Sequence, residues 1–132
     1  MRTIALACLL PLVACHIRMG ADPAMYPPAR RAAGTTAYAT MRSGAIQGEL
    51  LEVRDTALVL RTADRIVLLL TAQAQHLDFE DMRRNRRVND SLTGTDRERL
   101  RLLSRYPQGI PPAALTELLS HRGQTALVIV NE

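Results

Sequence analysis

Two short runs, Leu58-Val59-Leu60 and Ile66-Val67-Leu68-Leu69-Leu70, are apolar at every position. They are too short for a stable helix and are bounded by turn residues, so they read as strands. Successive side chains of a strand point to opposite faces, so a sheet built from these runs is apolar on both sides. An antiparallel sheet wetted on one face would alternate instead. Whatever sheet forms here must be covered twice, and the rest of the chain has to supply the cover.

The flanking sequence fits a β meander. Strands are expected near 36–42, 45–54, 57–61, 65–71 and 73–79, separated by Ser43-Gly44, Asp55-Thr56 and Ala63-Asp64. These breaks are the length of hairpin turns, which predicts antiparallel neighbours. Gly48 inside the second strand predicts a bulge or a sharp bend.

Cover for the sheet is expected downstream. Thr95-Asp96-Arg97-Glu98 has the spacing of a capping box, and Leu100, Leu103 and Tyr106 follow at helical spacing. Pro107 and Gly109 should end that helix. A second begins at Pro111-Pro112, where a first-turn proline is tolerated, and carries Ala114, Leu115, Leu118 and Leu119 on one face, with Gly123 as its C-cap. Ala126-Leu127-Val128-Ile129-Val130 then reads as a buried-type strand able to return to the sheet. The expected class is α+β: a small bent antiparallel sheet or partial barrel, two C-terminal helices and a last strand.

The N-terminus is of another kind. Met1-Arg2-Thr3 carries one positive charge, and the apolar run from Ile4 to Ala14 follows it, interrupted by Pro11. That is the layout of a secretory signal, too short for the roughly 20 apolar residues of a spanning helix. It ends in Leu12-Val13-Ala14-Cys15, which resembles the lipobox of bacterial lipoproteins. The resemblance implies cleavage before Cys15, a diacylglycerol thioether on its sulfur, and anchorage to a membrane through the lipid. Since several acyl chains hold a protein where one does not, such an anchor is stable. His16 stands where an Asp favours inner-membrane retention in many diderm bacteria, so the periplasmic leaflet of the outer membrane is the expected address.

Three parts follow: a signal over 1–14, a lipidated, Ala- and Pro-rich tether over 15–34, and one domain over 35–132. The prolines at 23, 27 and 28 stiffen the tether. The mature part is long enough for one core. With Cys8 discarded and Cys15 lipidated, no thiol is left for a disulfide or a metal, and the domain must be held by packing.

The stretch from Gly44 to Leu60, followed by the strand from Ile66 to Leu70, also resembles the bent meander of Sm-like and SH3-like small barrels. Sm-like proteins bind RNA in rings. No RNA-contact motif of that family is present here and an exported chain is not expected to meet nucleic acid, so the resemblance bears on the fold alone.

Catalytic and cofactor signatures are few. No zinc-protease spacing, nucleophile elbow or glycine-rich phosphate loop occurs, and neither a cofactor nor a metal is expected. His76, Asp78 and Glu80 alternate, so on a strand they share a face, and they are the one place where a small periplasmic enzyme would have its site. The most conspicuous polar feature is Arg83-Arg84-Asn85-Arg86-Arg87. All 17 basic residues are arginine and the net charge is +4. A cationic run of this kind suits anionic lipid headgroups or an acidic envelope partner through Arg83, Arg84, Arg86 and Arg87. The sequence thus predicts a lipid-anchored envelope protein acting without catalysis, as an interaction or assembly module.

Overall fold

The computed structural model describes residues 33–80, 82, 92 and 94–130. Four strands come first: β1 (Thr36–Met41), β2 (Gly44–Val53), β3 (Ala57–Arg61) and β4 (Ile66–Leu70). A 3-10 turn over Thr71–Gln73 leads to β5 (His76–Phe79), and then come α1 (Gly94–Leu103), α2 (Pro112–Ser120) and β6 (Val128–Val130). One sheet holds all six strands in the order β5-β1-β2-β3-β4-β6. Its pairings are antiparallel except that of β6 with β4, which is parallel. The fold is α+β, with the bent meander, two helices and last strand expected from the sequence.

The bend follows from chain length. β4 ends on one side of the meander and β5 begins on the other, beside Thr40 of β1, with only residues 71–75 between them. The six Cα steps from Leu70 to His76 would reach about 20–22 Å if fully extended, but the 3-10 turn over Thr71–Gln73 rises only about 2 Å per residue, which cuts the reach to about 16 Å. Four strand spacings in a flat sheet already amount to roughly 19 Å, so the sheet must curl to bring its margins together. Among the described residues it remains open, with β5 and β6 as its two edges and no closed barrel.

Inside the curl lies the larger apolar cluster, with Ala37 and Ala39 from β1, Leu50 from β2, Leu58 and Leu60 from β3, Leu69 from β4, and Leu77 and Phe79 from β5. Leu100 of α1 joins it. On the opposite face, Leu51, Val59 and Ile66 pack with Tyr106 and with Ala114 and Leu119 of α2. The two all-apolar runs are therefore covered on both sides, as their pattern demands, with a different helix on each face.

Several local expectations are corrected. The bulge falls at Leu50–Glu52, not at Gly48. Gly48 is required because a Cβ there would stand 2.8 Å from the Arg61 carbonyl oxygen, a close approach of two backbones. The strand expected from residue 73 begins at His76, since Thr71–Gln73 turn as a 3-10 segment. Thr95 lies within α1, which already includes Gly94, so it is not the N-cap.

α1 also stops at Leu103 rather than running on to Tyr106. The reason is tertiary. β1 is shorter than β2, and where it ends the amides of Arg105 and Tyr106 take its place, donating to the carbonyls of Leu50 and Leu51 at 3.0 and 2.8 Å. Those amides cannot also serve a helix. α2 starts at Pro112 and ends at Ser120 with His121, not the expected Gly123, as its C-cap; Gly123, at φ +64°, turns the chain away just beyond, and the Gln124 amide donates to Leu119 at 2.9 Å.

Candidate functional site

Two of the sequence-predicted features, Cys15 and the run Arg83, Arg84, Arg86 and Arg87, lie outside the described residues. Their attachment points do not. Thr36 and Phe79 stand at matching ends of the β1–β5 ladder, which runs from Ala37 opposite Phe79 to Thr40 opposite His76. The Glu80 amide donates to the Thr36 carbonyl at 3.0 Å, and the Met82 amide donates to Phe79 at 3.0 Å. Residue 34, at the end of the stretch expected to be the tether, and residue 82, just before the Arg run in sequence, therefore leave the same end of one strand pair. Sequence order, which separates them by 48 positions, gives no hint of this.

That end is pinned from inside. Glu49, only 8% exposed, receives the guanidiniums of both Arg61 and Arg105. Gly34 lies directly over it: at φ +75°, with an added Cβ 2.7 Å from the Glu49 Cδ, any side chain there would be strained and would press on the Glu49 carboxylate. Thr35 is buried and its hydroxyl donates to the Leu103 carbonyl at 3.1 Å. Gly34 and Thr35 are thus held by β2, by β3 and by the end of α1 with the connection that follows it. Nearby, the Tyr106 hydroxyl is buried without a partner among the described residues, and burial pushes its pKa up.

His76 and Asp78 do share an outward face, both exposed, opposite Thr40 and Tyr38 of β1. Asp78 accepts from the Phe79 amide at 2.9 Å. Glu80 lies just past the strand. Both side chains of this face are open to water. Among the described residues no three His, Cys, Asp or Glu side chains are grouped to hold a metal. Glu117 on α2 and His121, one residue past its end, are 3.6 Å apart, too far for a hydrogen bond.

A groove of about 520 Å³ opens elsewhere, between the start of β2, the β3–β4 turn and β6. Ile46, Val67 and Val128 give it apolar walls, and Gln47, Thr62, Asp64 and Arg65 lie along it. On this rim the Arg65 guanidinium and the Thr62 hydroxyl both donate to Asp64, at 2.8 Å each, and hold its carboxyl down from 3.8 to about 2. Sequence reading missed the groove because its walls come from three separated segments. The exposed Val128 and Ile129 beside it were legible as apolar but were expected to be buried.

Comparison with protein-family models, with curated proteins and with solved structures finds no match to the chain.

Proposed function

We propose that this protein is a lipid-anchored component of the bacterial envelope, held by Cys15, whose domain acts without catalysis as an interaction or assembly module. In this reading, the end carrying the tether and the Arg run is turned toward an anionic membrane surface. One observation carries the orientation: the Thr36–Glu80 hydrogen bond places the start of the domain beside the strand that leads into Arg83, Arg84, Arg86 and Arg87. The lipid then brings the cationic run to the bilayer without any reorientation of the domain. Each arginine near such a surface contributes about 1 kcal/mol, enough to matter once the lipid has made the encounter local.

Vesicle sedimentation of the mature chain with Cys15→Ser, free of lipid, tests the electrostatic part. Binding to anionic vesicles should exceed binding to neutral ones, and should fall when the four arginines become Gln. It should also weaken with salt, as the Debye length shortens from about 10 Å at 0.1 M to about 3 Å at 1 M. Equal sedimentation of the two variants would reject the membrane-facing orientation. An acyl-free Cys15 in protein extracted from the native envelope would reject the anchor.

A further inference from the structure

We infer that the stretch from Thr125 to Val130 is a strap, latched onto β4 by the Gln124 side chain, that leaves the sheet as a unit while the other strands and both helices stay folded. The latch is a pair of hydrogen bonds to one residue. The Ile66 amide donates to the Gln124 Oε1 at 2.6 Å, and the Gln124 Nε2 donates to the Ile66 carbonyl at 3.0 Å. A side-chain amide presents an acceptor beside a donor, as a peptide group does, so Gln124 stands in here for the backbone of a strand. β6 cannot fill that place, because its pairing begins with Val128 opposite Val67, one position past Ile66. Ile66 is fully buried, and without Gln124 two of its polar backbone groups would lose their partner away from water. The same Nε2 donates to the Ala126 carbonyl at 3.2 Å, so one side chain ties strap to sheet.

Side-chain packing does little to hold β6 by itself. Leu127-Val128-Ile129-Val130 is apolar throughout, so a slip of one residue replaces one apolar side chain by another, a pattern that specifies register weakly. The pairing with β4 covers three residues, and Val128 and Ile129 are exposed where Leu58, Val59 and Leu60 of β3 are not exposed at all. Elements with few buried contacts open at a lower free energy than the whole domain. The other side of the hinge is fixed: the Gln124 backbone amide stays on Leu119 at the end of α2, so the helix keeps its place when the side chain lets go. Val128, Ile129 and Val130 line the groove of about 520 Å³. Release of the strap removes that wall, which makes the latch the control on the shape of the groove. Neither the lipid nor the Arg run enters, so the inference stands apart from the membrane reading.

Amide hydrogen exchange in the mature Cys15→Ser chain reads the opening residue by residue. The Ile66 amide faces Gln124, and by strand alternation that of Leu68 faces β6. Both should exchange through an opening of lower free energy and weaker urea dependence than Leu58 and Leu60, which lie between two strands and need a larger unfolding. Leu100→Ala, inside the curl, should speed exchange at Leu58 and Leu60 but not at Ile66 or Leu68, because the strap opens with α1 still docked. Gln124→Ala should speed exchange at Leu68, which Gln124 does not bond, by about tenfold or more, a change of about 1.4 kcal/mol, because only the closed strap loses the latch. A common free energy and urea dependence for all four amides would overturn the inference. So would equal acceleration of all four by Leu100→Ala, or a Leu68 amide indifferent to Gln124→Ala.

Discussion

Glu49→Gln removes one charge from the cluster beneath the start of the domain while keeping its size and shape. The carboxylate is 8% exposed, and its partners Arg105 and Arg61 are 17% and 36% exposed at their side chains. Removing one partner of a fully buried ion pair costs about 3–5 kcal/mol, because the remaining charge is stranded away from water. Here Arg61 reaches solvent and can recover part of its hydration, whereas Arg105 recovers much less. Hydrogen bonds to charged groups contribute about 1.5–3 kcal/mol each, so with the Arg61 share discounted the expected loss is about 2–3 kcal/mol. Urea unfolding of the mature Cys15→Ser chain measures it, as a lower midpoint at unchanged slope. A cycle with Arg105→Gln should return a coupling of about 1 kcal/mol or more. A loss under about 0.5 kcal/mol, the range of an exposed pair, would refute the reasoning and reduce the cluster to surface charge.

Other outcomes follow from single positions. Leu100→Ala, at a side chain with no exposure, should cost about 2–5 kcal/mol, while Leu102→Ala two residues on, 58% exposed, should stay within about 0.5 kcal/mol; equal effects in urea unfolding would mean that α1 is docked by another face. Gly48→Ala should cost about 1–3 kcal/mol by overpacking, because the atoms it meets belong to the Arg61 backbone; an unchanged midpoint would show that β2 and β3 separate freely there. The Asp64 carboxyl should titrate near pH 2 by NMR. A lowered folded pKa means that its stabilising effect is complete above 3.8 and is lost as pH falls toward 2, and Arg65→Gln should move the midpoint back up; a midpoint that stays put would assign the shift elsewhere. Cys15→Ser should abolish acylation, read as the missing lipid mass on protein extracted from the envelope; acyl mass retained on the variant would sink the lipobox reading.

Periodicity alone made much of the fold legible. All-apolar runs require two covered faces, turn residues two or three apart require hairpins, and the Pro111-Pro112 and Gly123 boundaries set α2, because each of these signals acts within a few residues of itself. Other features depend on which distant atoms arrive. The bulge sits at Leu50–Glu52 and α1 stops at Leu103 because Arg105 and Tyr106 fill the space beside β2 that short β1 leaves vacant. Glu49 looked like any acidic residue of a strand until two arginines, 12 and 56 positions away, converged on it. Residues 34 and 82 stand at one end of a strand pair only because β5 folds back beside β1. Chain order settled which segments become strands and helices, since propensity and periodicity are local. Tertiary structure alone decided which apolar strand lies inside and which, like β6, is left at an edge, because burial depends on neighbours that no local pattern names.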